Sequence, residues 1–207
     1  CGGWGVAACY SLTSEKASFV TYMYIWRSDA ASIVINDNTL WVTGGYNDGW
    51  DPLASSEYVT VTGTMLGPDL PMALYYHAMV AINSTCSMVI GGFNFGLNWW
   101  DISSYASTYF YDHNEKEWIN GPNLIQAIYD HAAGIVTDEV SGEDFVAVTG
   151  GYHNDYLDST EILQDGEWVK GKISNTICLL LEIFWNLWRR SRPKIWPKEG
   201  QNFSKSK

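Results

Sequence analysis

The chain has 207 residues, 46% hydrophobic and 15% aromatic, with 23 acidic against 12 basic side chains and a net charge of −11. That composition excludes a disordered chain and argues against a nucleic-acid binder, which needs clustered cations to neutralise phosphate. Six prolines and nineteen glycines fit many turns rather than long helices, and the length allows one substantial core.

The chain opens on the pair Gly2-Gly3, with Cys1 before it and a short strand, CYSL at 9–12, after it. In the hairpin this predicts, Cys1 and Cys9 either face each other within disulfide reach or remain two buried thiols. A bond would imply an oxidising compartment. Three further glycine pairs, Gly44-Gly45, Gly91-Gly92 and Gly150-Gly151, follow at separations of 42, 47 and 59 residues. Each ends an apolar, β-branched run, TLWVTGG at 39–45, SMVIGG at 87–92 and FVAVTGG at 145–151, short enough for one buried strand. Another strand is expected after each pair, at 57–61, 108–111 and 161–164. A polar turn and then Trp118 or Trp168 would open an outer strand. Units begin with HAMVAI at 77–82 and HAAGIV at 131–136, and the acidic stretch 137–144 reads as a longer turn between strands.

The linker into each of those units is also repeated. GPDLPMALYYHAMVAI at 67–82 and GPNLIQAIYDHAAGIV at 121–136 match at seven of sixteen positions with an offset of 54. A period near fifty residues means stacked structural units, each a four-stranded antiparallel sheet too small to bury its own faces. Glycine pairs suit such an arrangement because they leave a strand through positive φ and admit a close neighbouring backbone. None opens a helix or lies in a phosphate-cradling frame.

These residues resemble the kelch repeats, in which a double glycine ends one strand, an acidic or aromatic residue lies in the next, and a tryptophan follows. The correspondence covers roughly residues 1–172: Gly44-Gly45 with Glu57-Tyr58, Gly91-Gly92 with Tyr109 and Trp118, and Gly150-Gly151 with Glu161 and Trp168. The resemblance implies an all-β fold, a kelch-type β-propeller with about four blades visible, the first incomplete, in a fragment of a larger ring. Where kelch blades often carry an arginine before the first strand, this chain has Arg27, Leu74 and Ile128.

Residues 173–207 have no counterpart in the other units. The first 172 residues hold 5 Lys or Arg against 21 Asp or Glu, and the remainder holds 7 against 2. This apolar, basic tail is read as divergent and is expected to be translated from unspliced or misassembled sequence, the alternative being an interfacial helix able to contact a membrane; it is too short to span a bilayer.

No catalytic constellation is visible, and no cofactor or metal is expected. His77 and His131 share one repeat position, which favours a packing role, and the cysteines lack zinc-ligand spacing. Asn83-Ser84-Thr85 forms a glycosylation acceptor at an expected turn, and Asn202-Phe203-Ser204 forms another in the tail. The loops after the glycine pairs, at 46–53, 93–102 and 152–158, interleave aromatics with Asn, Asp and Gly. They point to recognition, with Trp50, Trp99, Trp100 and Tyr156 as contact residues; the kelch resemblance implies that the linkers carrying Tyr75, Tyr76, Tyr129 and Arg27 share the same face. The leading expectation is a protein-binding scaffold, favouring a basic partner and an extracellular location. The alternative is a substrate-recognition subunit of a cullin-type ubiquitin ligase or an actin-associated adaptor. A carbohydrate-binding or copper-oxidase-like propeller is a distant third.

Overall fold

Every apolar run that ends in a glycine pair becomes the second strand of a four-stranded antiparallel sheet. The computed structural model describes residues 1–2, 7–12, 14–95, 102–138 and 140–171. Gly3, Trp99, Trp100 and the tail from 172 onward lie outside the described residues. A first hairpin pairs β1 (Ala8–Leu12) with β2 (Ala17–Tyr22). The first full sheet runs in chain order through β3 (Ala31–Asn36), β4 (Thr39–Thr43), β5 (Ser56–Thr60) and β6 (Gly63–Leu66).

In the second full sheet β7 (Ala78–Asn83) and β8 (Cys86–Ile90) precede a small hairpin of β9 (Phe93–Phe95) and β10 (Ile102–Ser104). The sheet is then completed by β11 (Thr108–Asp112) and β12 (Glu117–Asn120). The third repeats this plan with β13 (Ala132–Thr137), β14 (Asp144–Thr149), the hairpin β15 (Tyr152–His153) and β16 (Asp155–Tyr156), then β17 (Thr160–Gln164) and β18 (Glu167–Lys170).

Two of the expected loops are thus partly paired. The stretch 93–102 begins and ends in strand, and 152–158 folds into a tight ribbon because Asn154 takes a left-handed φ of 59°, a conformation asparagine tolerates better than most residues.

Neighbouring sheets share apolar layers. Cys9 and Met23 pack on Val42 and Val59 between the hairpin and the first sheet. Trp41, Leu74, Val89 and Tyr111 join the first sheet to the second, and Met88, Ile90, Val146 and Trp168 join the second to the third. The opening strands lie side by side, β7 between β3 and β13.

The repeated linkers are pinned at fixed points. Gly67 N–H donates to Ser56 O, Gly121 to Thr108 O and Gly171 to Thr160 O, each at 2.9 Å. Leu70 N–H and Leu124 N–H then bond Ala54 O and Ala106 O, and both leucines enter the core. From the outer strands the indoles of Trp118 and Trp168 donate to Asp69 O at 2.7 Å and Pro122 O at 3.0 Å.

At the glycine pairs one unit comes close to the linker that leads into the next. Gly91 has a φ of 57°, and a Cβ on it would lie 2.6 Å from Ile128 O and 2.9 Å from His131 Cε1. The same meeting joins Gly44 to Leu74 O and the His77 ring one unit earlier. Beside it, Gly45 N–H donates to Leu74 O and Gly92 N–H to Ile128 O, both at 2.8 Å. Glycine pair and downstream histidine therefore repeat together because one makes room for the other.

Arg27 does not reach a binding face. It is 1% exposed, its guanidinium bonded to Gly44 O, Ser55 O and Glu57 Oε1. The Glu57 carboxylate also accepts Tyr24 N–H at 2.6 Å and Ile25 N–H at 3.0 Å. Glu161 caps Ile125 and Gln126 N–H in the same way. In the intervening unit the corresponding linker residue is Pro71, which has no N–H, and the acid is replaced by Tyr109, whose hydroxyl meets Met72 Sδ.

Gly91→Ala should lower stability by about 2 kcal/mol or more, through left-handed strain and the Ile128 contact. Gly134→Ala, at a site with no atom within 4 Å of the new methyl, should be neutral or stabilising by about 0.5 kcal/mol. Urea midpoints of the two variants check the contrast.

Candidate binding face

The residue after each of the last three glycine pairs is aromatic: Tyr46, Phe93 and Tyr152. Each pairs with the linker residue preceding its own sheet, in the bridges Ser28↔Tyr46, Tyr75↔Phe93 and Tyr129↔Tyr152. These bridges place two residues per unit at one end of the sheets. A belt of backbone bonds runs between units, Tyr76 N–H to Asp29 O at 3.0 Å and Asp130 N–H to Tyr76 O at 2.9 Å. Asp29, Tyr76 and Asp130 all take left-handed φ values, 50°, 54° and 59°. For a tyrosine that conformation is costly and persists only where neighbouring structure imposes it.

The side chains on this frame form one continuous aromatic run. Trp50 stacks on Tyr46 with ring centroids 5.0 Å apart and planes 8° apart. Tyr46 meets Tyr75 edge-on at 5.5 Å, and Tyr75 meets Phe93 at 5.1 Å. The run continues through Phe93–Tyr129 at 4.7 Å, Tyr129–Tyr152 at 5.5 Å and Tyr152–Tyr156 at 5.3 Å. Trp26 and Tyr76 flank it. Spacings of 4.5–7 Å are those at which aromatic pairs attract beyond simple burial.

Only parts of the run reach solvent. Trp50 is 45% exposed and Tyr156 61% exposed, whereas Tyr46, Tyr75 and Phe93 are buried beneath them and Tyr76, Tyr129 and Tyr152 are half-buried. Trp50 is held by a turn in which Asn47 Oδ1 accepts the Gly49 and Asp51 N–H groups at 2.9 Å and Trp50 N–H bonds Asn47 O. Burial, then the surrounding phenols and Asp29, push the Tyr75 hydroxyl well above its ordinary range, so it stays neutral. Asp29, Asp48, Asp51, Asp155 and Asp158 are exposed in the same loops and linkers.

Of the sequence-derived contact residues, Trp50, Tyr75, Tyr129 and Tyr156 share this run, Arg27 is in the interior, and Trp99 and Trp100 lie outside the described residues. Sequence reasoning passed over Tyr46, Phe93 and Tyr152, although an aromatic directly after every described Gly-Gly is a visible signal.

Two of the histidines, His77 and His131, are buried beside the glycine pairs. His77 is buried with Nε2 2.9 Å from Thr43 Oγ1, and burial, then His131, pull it down to about 3. His131 meets Ile90 where His77 meets Thr43, and burial pulls it to about 4. Cys1 and Cys9 are joined in a disulfide. Among the described residues no three His, Cys, Asp or Glu side chains are grouped to hold a metal ion, and no helix is long and apolar enough to cross a membrane. No family model matches the chain, and no curated protein matches it.

Because His77 and His131 have lowered pKa values in the folded chain, the unfolded chain binds protons at these positions first as pH falls. Their contribution is complete above about pH 6.5 and is lost as pH drops toward 4 and then 3. Between pH 7 and 5 His77 should cost on the order of 1–2 kcal/mol. Urea unfolding at both pH values should show this loss in the native chain and a smaller one in His77→Gln.

Proposed function

We propose that this chain is part of a kelch-type β-propeller that serves as a protein-interaction scaffold and takes a basic protein segment on its aromatic face. The observation that carries the proposal is the aromatic run continuing across three sheets, exposed at Trp50 and Tyr156 and bordered by carboxylates. Rigid aromatic anchors supported from below are the usual centres of binding energy at protein interfaces. Exposed carboxylates beside them favour a cationic partner and steer its approach. The kelch part of the reading is supported by the glycine-pair, acid and tryptophan pattern, together with four-stranded sheets that pack face to face. Each sheet has its first strand beside those of its neighbours, as blades do. The proposal assigns the chain no catalytic role. The Cys1–Cys9 bond favours an extracellular setting.

The reading is tested with immobilised synthetic peptides, rich in Arg, Lys and apolar residues, against sequence-matched acidic peptides. Basic peptides should bind, with affinity falling as salt rises. Trp50→Ala should weaken capture about tenfold or more, and Tyr156→Ala less, without moving the unfolding midpoint. Equal capture of acidic and basic peptides, or an unchanged affinity for Trp50→Ala, contradicts it.

A further inference from the structure

At the other end of the second full sheet, the turn joining β7 to β8 holds Asn83-Ser84-Thr85, all three exposed. Asn83 Oδ1 accepts both the Thr85 N–H at 2.8 Å and the Thr85 hydroxyl at 2.9 Å. The two bonds fix the plane of the carboxamide. Its Nδ2 takes no part in them and belongs to an exposed side chain. From Ala78 to Asn83 the strand rises about 17 Å, so a group attached here stands well away from the aromatic face.

We infer that Asn83 is a site of N-linked glycosylation. Asn-x-Thr is the acceptor sequence for this modification, and here it occupies an accessible turn already folded so that the hydroxyl engages the carboxamide. In the reaction, Nδ2 attacks C1 of the first sugar of an oligosaccharide carried on a lipid pyrophosphate. The C1–O bond breaks, the C1–N bond forms, the amide gives up one proton, and the lipid pyrophosphate leaves. The Cys1–Cys9 disulfide independently indicates the oxidising compartment in which such donors are used. The turn also borders a cavity of about 210 Å³ lined by Val34, Ile35, Ala81, Ser87 and His113 among others.

The chain supplies its own control. Asn36, at the end of β3, makes the matching turn, its Oδ1 accepting Asn38 N–H at 3.0 Å. Asn38 provides no hydroxyl there, so Asn36 should remain unmodified.

The test places the full chain behind a secretion leader in a eukaryotic cell and reads the lumenal protein directly, before any selection for folding. Peptides are mapped by mass spectrometry after an amidase has released the sugar in heavy-oxygen water. Label is expected at position 83 and absent at position 36. Asn83→Gln and Thr85→Ala should each lose it completely, Asn202→Gln should retain it, and Asn38→Thr should gain a second sugar at Asn36. An unmodified 83–85 peptide in lumenal chain overturns the inference, as does sugar at Asn202 alone or its persistence at Asn83 in Thr85→Ala.

Discussion

The structure depends on how closely one unit's glycine pair approaches the backbone of the next. At Gly91 no side chain fits between the strand end and Ile128 O, and only a left-handed φ turns the chain away. That approach lets Gly92 N–H reach across to Ile128 O and brings the His131 ring against Gly91. A single sheet of four- to six-residue strands is marginal by itself. Its stability comes from contact with its neighbours, so the spacing set by these glycines governs whether Trp41, Met88 and Trp168 find partners across the sheets.

The same spacing builds the aromatic face. Once a strand has passed its glycine pair, the next residue bridges back to the linker that precedes its own sheet, and the belt from Asp29 to Tyr76 to Asp130 fixes one unit beside the next. The aromatics at these positions then meet at 4.7–5.5 Å along the run from Tyr46 to Tyr152. Function, as proposed, is therefore a consequence of the packing rule: loops that diverge between units display Trp50 and Tyr156, while repeated bridges supply their foundation. The opposite end of the sheets carries short polar turns, two of them closed by asparagine side chains, and is chemically a different surface.

Much of the fold was legible because it is written three times. The strands that end in glycine pairs, the strands after them and the outer strands opened by Trp118 and Trp168 all follow from repeated spacing and short apolar runs. The short β9–β10 and β15–β16 hairpins were not legible, since loops rich in Asn and Gly give no strand periodicity and their pairing follows from turn geometry. Arg27 was misplaced for a related reason. A lone arginine on a linker reads as a surface charge, and only the fold brings Glu57 to meet it from thirty residues away. The exchange of the acid for Tyr109 opposite Pro71 shows the rule beneath the motif, because a carboxylate is kept where two linker N–H groups need capping. At the candidate site, the exposed ends Trp50 and Tyr156 could be read from loop composition. The buried Tyr46, Phe93 and half-buried Tyr152 could not be ranked without knowing that they touch one another.

The central claim, that the exposed aromatic end of the sheets is where a basic partner lands, is tested most directly by nuclear magnetic resonance. Ring and amide signals of the labelled chain are followed as an Arg- and Lys-rich peptide is added. Shifts confined to 46–53, 75–76, 129–130 and 152–158 are predicted, with the turns at 36–39 and 83–86 unmoved. Shifts centred on those turns, or none at saturating peptide, would contradict the account.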